Sequence, residues 1–174
     1  FIHGTGIKGL GGMRLINGRL IRPMLYVRRA EIESYLRENG LGWRQDKTNF
    51  EVIYQRNKIR MELIPQLEEY NPRFCFNLIR MSDILRAENE YIDRKARKTC
   101  ESICVLEKGK ILLDRKSLKE LEIALQRRVI RLAYEKLVKS IREFSFEHAE
   151  RVRKLLERKR GKIIIPKNIE AAVG

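Results

Sequence analysis

The chain has 174 residues, 43% of them hydrophobic, which is enough for one ordinary domain or two small ones with packed cores. Lys and Arg number 38 against 23 Asp and Glu, a net charge of +15, so the expected partner is a polyanion, nucleic acid first, bound salt-sensitively through counterion release. No apolar run approaches the roughly 20 residues that cross a bilayer, no amino-terminal stretch resembles a signal, and Cys75, Cys100 and Cys104 hold no CxxC pair. This excludes a membrane span, a disulfide framework and a zinc knuckle, and the expected setting is cytosolic, without a metal site.

The chain starts at Phe1 rather than Met, and its first residues read as the middle of a loop, so the expectation is a piece of a longer protein. Gly4-Thr5-Gly6-Ile7-Lys8-Gly9 then spells GxGxxG, but a dinucleotide fingerprint needs a strand before it and an acid after the next strand, and neither is identifiable. Residues 19–27 read as a buried strand after an Asn17-Gly18 turn, with Pro23 making it an edge or bulged one. A helix over 30–38 carries Ile32, Tyr35 and Leu36 inward and ends at Asn39-Gly40. A polar connector with the single Trp43 leads to Asp46-Lys47-Thr48-Asn49.

The spacing of Arg56, Asn57 and Arg60 at i, i+1 and i+4 predicts two guanidinium forks and an amide on one side of a helix, where they could hold an anion. Ile53, Ile59, Leu63, Ile64 and Leu67 form the opposite, apolar stripe, and the helix stops or kinks at Pro65. A solvated basic face fits the same pattern. Asn71-Pro72 restarts the chain, and Phe74, Leu78, Met81, Leu85 and Ile92 predict one helix from 72 to 104, of the kind that joins two domains. Cys100 and Cys104 share a face of it and read as buried or idle thiols, since His3 and His148 lie far away in sequence.

Val105-Leu106 and Ile111-Leu112-Leu113 are expected to be short strands around a break at Glu107–Lys110. Ser117-Leu118-Lys119-Glu120 reads as a capping box opening a helix with Leu121, Leu125, Val129 and Leu132 inward. Ser145 caps another, with Ala149, Val152, Leu155 and Leu156 on one face and Gly161 as a left-handed cap. Between Arg151 and Lys162 stand seven basic residues and one acid, more than helix capping explains, so this is a phosphate-binding surface or a solvated face. Lys162–Pro166 reads as a strand without its partner.

The succession Gly4-Thr5-Gly6-Ile7-Lys8-Gly9-Leu10, Arg22-Pro23-Met24-Leu25, Asp46-x-x-Asn49, Arg56-Asn57-x-Ile59-Arg60, Leu63-x-Pro65-x-Leu67, Asn71-Pro72, Leu125–Arg131 and Phe146-x-His148 resembles the tRNA(Ile)-lysidine synthases, over nearly the whole chain. The resemblance implies a mainly α fold. Residues 1–70 would be the C-terminal remnant of an α/β, Rossmann-like PP-loop domain, 71–104 a long linker helix, and 105–174 a truncated helical, tRNA-binding domain. It implies ATP with Mg2+, L-lysine and tRNA(Ile) as partners and no membrane, and leaves a homodimer open. Such enzymes adenylate the wobble cytidine of the CAU anticodon and ligate lysine to it.

By that likeness Arg56 and Arg60 would face the phosphate charge, with Asn57 orienting a base or ribose edge. Asp46 and Asn49 would bind the lysine ammonium or anchor the helix start, and Gly4, Thr5 and Gly6 would form a loop near the pocket. Lys8, Arg127, Arg128, Arg131, Arg158, Lys159 and Arg160 would contact tRNA. The family's serine-glycine-glycine phosphate loop and its histidine and acid-rich motif are absent and expected upstream of Phe1, so the piece alone should not bind ATP competently. His3 also stands where the family usually has arginine. The competing readings are a non-catalytic basic RNA-binding module, a related tRNA-thiolating PP-loop enzyme, against which the missing CxxC weighs, and a structural helical protein with an incidental basic surface.

Overall fold

Helices dominate, and among the described residues the strands come as three separate antiparallel hairpins. The structure, a computed structural model, describes residues 4–44 and 54–174 and divides into two units, Phe1–Arg86 and Ala87–Gly174.

In the first unit a short helix α1 (Ile7–Leu10) follows Gly6. A Cβ at Gly9 would lie 1.8 Å from Thr5 Oγ1, so a larger residue there would have to push the exposed Thr5 side chain aside. The Gly11 carbonyl accepts from Arg86 Nε at 3.1 Å and Nη2 at 2.7 Å, and the Met13 carbonyl accepts from the same Nη2 at 3.2 Å. One guanidinium thus fixes the loop after α1. Strands β1 (Ile16–Asn17) and β2 (Leu20–Ile21) pair Ile16 with Ile21 and Asn17 with Leu20, leaving Gly18-Arg19 as the two-residue turn, with Gly18 at φ +60°. The expected strand over 19–27 is corrected: pairing ends at Ile21. The chain then turns twice, Leu25 N donating to Arg22 O and Val27 N to Met24 O. Pro23 has no N–H to give a ladder, which stops the strand there.

Helix α2 (Arg29–Glu38) starts where Arg28 N donates to the Glu31 carboxylate at 2.6 Å. Ile32 and Leu36 are half-buried, whereas Tyr35 is exposed, correcting its inward assignment. Ile32 and Leu36 are four apart and share a face, while Tyr35 sits about 100° around from Leu36. Helix α3 (Gln55–Lys58), a π-helical turn (Ile59–Leu63) and α4 (Ile64–Tyr70) then run on without a break. The expected stop at Pro65 is also corrected. Ile64 N donates to Ile59 O, five residues back, and this wider turn places Pro65 in the first turn of α4, where its missing N–H and its ring are tolerated.

Asn71 Oδ1 accepts from Arg73 N at 3.0 Å, and its carbonyl accepts from Phe74 N at 2.8 Å, starting α5 (Phe74–Ile103), the 30-residue helix its apolar spacing predicts. Its seam is uneven: Leu78 and Met81 are exposed, Phe74, Leu85 and Ile92 half-buried.

Among the described residues the fully buried apolar side chains run from Ala96 to Ile165 and so belong to the second unit, while the buried positions described in the first are Gly11 and Asn57. The two expected short strands form, somewhat longer, as β3 (Cys104–Glu107) and β4 (Lys110–Leu113), and they pair as an antiparallel hairpin turning at Lys108-Gly109. Helix α6 (Arg115–Glu120) corrects the capping-box reading. Its cap is Asp114, whose carboxylate accepts from Ser117 N at 3.1 Å and from the Ser117 hydroxyl, so Ser117 is a receiver of the cap inside the helix. Those bonds hold the Asp114 carboxyl below the usual carboxylate range. Helix α7 (Ile123–Val138) buries Leu125, Val129 and Leu132 as expected, and Leu121 before it is half-buried.

Ser145 caps α8 (Phe146–Leu155) as expected: its hydroxyl accepts from His148 N, and His148 Nδ1 accepts from Ser145 N at 3.0 Å. Gly161 is not a left-handed cap, since α8 ends at Leu155 and Gly161 opens β5 (Gly161–Ile165). Nor does that strand lack a partner, because β6 (Ile169–Val173) pairs with it from Gly161↔Val173 to Ile165↔Ile169. The turn between them has Lys167 and Asn168 at φ +63° and +54°, and β6 contains Glu170-Ala171-Ala172, residues of low strand propensity. Pairing with β5, rather than composition, makes β6 a strand.

Candidate functional site

Arg56 on α3 and Arg60 in the π-helical turn are exposed, whereas Asn57 between them is only 8% exposed. The amide therefore faces inward and the guanidiniums outward, correcting the expectation that all three share a side. Adjacent helical positions differ by about 100°, and tertiary packing chose Asn57 for the inner side. Ile59, Leu63, Ile64 and Leu67 are half-buried and form the underside. Asp46, Asn49 and Ile53, with His3, lie outside the described residues.

Gly4, Thr5 and Gly6 are exposed and lead into α1, which carries Lys8 to the rim of an open basin of about 450 Å³. Lys8, Gly12, Met13, Arg14, Asn17 and Arg22 line it. Arg22 Nη1 donates to the Arg14 carbonyl at 3.2 Å. Neither Arg56 nor Arg60 lines this basin. From sequence Arg22 entered only as part of the Arg22-Pro23-Met24-Leu25 motif and Arg14 not at all, although two basic residues flanking an Asn-Gly turn are a readable signal for convergent cations.

The arginines of α7 have partners inside the second unit. Arg127 Nε donates to Glu150 Oε1 at 2.6 Å, and its guanidinium lies 5.0 Å from the centre of the Phe146 ring. Arg128 pairs with Asp93 at 3.0 Å and donates to Asn89 Oδ1 at 3.0 Å, and Asn89 is buried. Arg131 Nη1 donates to the Phe144 carbonyl at 3.0 Å, and burial, reinforced by the nearby Arg128 charge, pulls its pKa below the ordinary guanidinium value. Arg127 and Arg128 thus tie α7 to α8 and α5, and Arg131 ties α7 to the loop before α8. Arg158, Lys159 and Arg160 instead point to solvent from a loop whose backbone is held by Arg115, which donates to the Leu156 carbonyl at 3.0 Å and to that of Arg158. Arg151 and Lys154 on α8 are likewise exposed.

Hydrogen bonds from Arg127 and then Arg153 hold Glu150 down to about 2, against an ordinary 4.5. Because the folded state binds this proton more weakly than the unfolded chain, the stabilisation is complete above about pH 5 and is lost as pH falls towards 2. Glu150→Gln should therefore lower stability at pH 7 by on the order of 1–3 kcal/mol and flatten the acid limb of a urea-midpoint against pH profile. An unchanged acid limb would show that the two arginines do not act through this carboxylate.

Cys100 and Cys104 bring their thiols to 3.0 Å. Burial, then the bond to Cys100, pushes the Cys104 thiol up to about 12, which suits the idle, protonated role expected of it. Among the described residues no group of three or more His, Cys, Asp and Glu side chains gathers to hold a metal, and no helix is long and apolar enough to cross a membrane.

Residues 1–67 match the family model of the PP-loop domain, and residues 113–167 that of the TilS substrate binding domain. Curated relatives named tRNA(Ile)-lysidine synthase include one from Caldanaerobacter subterraneus subsp. tengcongensis, 37% identical over 172 residues, covering 98% of this chain and 37% of its own. A second, from Solibacter usitatus, is 39% identical over 158 residues, covering 87% and 35%. A third, from Clostridium perfringens, is 36% identical over 165 residues, covering 94% and 35%. The chain thus spans just over a third of the length of the relatives it matches. With a PP-loop match followed by a substrate-binding-domain match, and likeness to these relatives along nearly all of its length, the chain belongs to the tRNA(Ile)-lysidine synthase family.

Proposed function

We propose that this chain is the part of a tRNA(Ile)-lysidine synthase that furnishes one wall of the active site and a basic tRNA-holding domain. The observation that carries the reading is the succession of the two domain matches on a chain 37% identical over 172 residues to a relative of that name. In this reading residues 1–70 are the C-terminal part of an α/β, Rossmann-like domain, 71–104 the linker helix and 105–174 the tRNA-binding domain. ATP transfers its adenylyl group to the wobble cytidine of a CAU anticodon with release of pyrophosphate, the amine of lysine then displaces AMP, and Mg2+ would offset phosphate charge when bound.

Negative charge builds on the phosphate in both steps, so fixed guanidinium groups aimed at it would lower both barriers. Arg56 and Arg60 fill that role, both exposed on a helix whose underside is half-buried. Asn57, being buried, is best read as a positioning residue that sets the turn from which Arg60 projects. Asp46 and Asn49 bind the lysine ammonium or start that helix. Arg158, Lys159 and Arg160, with Lys8, supply tRNA phosphate contacts, since their side chains are exposed.

The test is incorporation of labelled lysine by the full protein carrying this chain, given ATP and a tRNA transcript with a CAU anticodon. Lysine should attach to that transcript and not to one whose wobble cytidine is replaced by uridine. Binding of the transcript without any lysine attachment would leave only the RNA-binding module.

A further inference from the structure

The geometry points to the Lys8–Arg14–Arg22 basin as an anchor for the phosphates of an RNA backbone, a site separate from the Arg56 and Arg60 surface. This inference rests on the tRNA reading above. Three cations line an open basin of about 450 Å³, and among the described residues no carboxylate lines it. The loop's own acceptors are taken up elsewhere. Arg86 holds the Gly11 and Met13 carbonyls, and Arg22 holds the Arg14 carbonyl at 3.2 Å. With the negative ends of these peptide dipoles occupied, the described lining groups that an incoming anion would meet include three cations.

Arg22 spends one of its five N–H groups on that carbonyl, a bond that also fixes the guanidinium plane. A planar fork held in this way suits the paired oxygens of a phosphate, while Lys8 adds a mobile point charge from the rim. The Asn17 amide, at the end of β1, adds a neutral donor that can reach a phosphate or a ribose hydroxyl. One local device keeps the lining together: the two-residue turn at Gly18-Arg19, which brings Arg22 back beside Arg14. The basin is wide and open, which fits a stretch of polymer backbone better than the enclosing fit a single small anion needs. The net charge of +15 favours the same class of ligand.

The phosphates of ATP share this chemistry, so the experiment separates the two sources. In the full protein, Lys8→Gln combined with Arg14→Gln should weaken tRNA binding, measured without ATP or lysine, by about 10-fold or more at moderate salt. It should also make the slope of log affinity against log salt shallower by about 1.5 to 2, the loss of two phosphate contacts. The charge-keeping pair Lys8→Arg with Arg14→Lys should restore most of both. A rise in the KM for ATP with tRNA affinity and slope unchanged would make this a nucleotide site and overturn the inference.

A second readout does not depend on how the variants fold. In the unmodified protein, Lys8 should be acetylated by an amine-reactive reagent when free and protected when tRNA is saturating. Equal acetylation in both would also overturn the anchor. If the wild-type protein attaches lysine but these readouts fail, the anchor alone falls. If the wild type attaches no lysine, the enzymatic reading falls independently of this site.

Discussion

Arg60→Ala should lower the turnover of lysine attachment by about two to three orders of magnitude while changing tRNA affinity by no more than about threefold. The reasoning is electrostatic. A guanidinium at the reacting phosphate meets more negative charge in the transition state than in the bound ground state, so its loss appears in kcat rather than in binding. Arg60 is exposed on the π-helical turn, so the truncation removes no core contact and the melting temperature should be preserved. Single-turnover kinetics at saturating ATP, lysine and tRNA, set beside direct tRNA binding, separate the two quantities. If affinity falls in step with turnover, Arg60 is a plain phosphate contact and the catalytic role assigned to it is lost. Arg56→Ala should behave in the same way, and the double variant should lose less than the product of the single losses if the two forks serve one phosphate group.

The largest effect on stability is expected from Phe144→Ala, at about 3–5 kcal/mol. Phe144 is 2% exposed, its ring stacks on Tyr134 at 4.3 Å between centroids, and it lies 5.8 Å from the His148 ring. Its carbonyl also receives the Arg131 guanidinium, so collapse around the missing ring would disturb a half-buried cation. Against a domain stability of about 5–15 kcal/mol this loss is a large share, and a urea titration followed by far-ultraviolet circular dichroism reads it directly. Phe144→Leu should cost markedly less because it keeps much of the volume. A loss below about 1 kcal/mol for the alanine variant would mean that neighbouring side chains fill the space and that Phe144 is not a centre of this core.

Period and capping chemistry made the long elements readable in advance. The 30 residues of α5, the inward positions of α7 and α8 and the Ser145 cap follow from three- and four-residue apolar steps and from one hydroxyl three residues before a needy N–H. What escaped depends on partners remote in sequence or on competition between nearby groups. Strand β6 exists because β5 offers a ladder, Asp114 outcompetes Ser117 for the same cap, and the π-helical turn lets a helix continue through Pro65. The candidate site divides in the same way. That arginines gather at 56, 60, 127, 128 and 131 is plain from the sequence, but which are committed is set by Glu150, Asp93 and Asn89, which only tertiary structure brings alongside. Spacing alone also could not decide whether Asn57 or its neighbours would turn inward.

Among the described residues the fully buried apolar side chains lie between Ala96 and Ile165, and this has a thermodynamic consequence. On that packing the Ala87–Gly174 unit should unfold as a single event, with the amide protons of its buried helices exchanging through global opening.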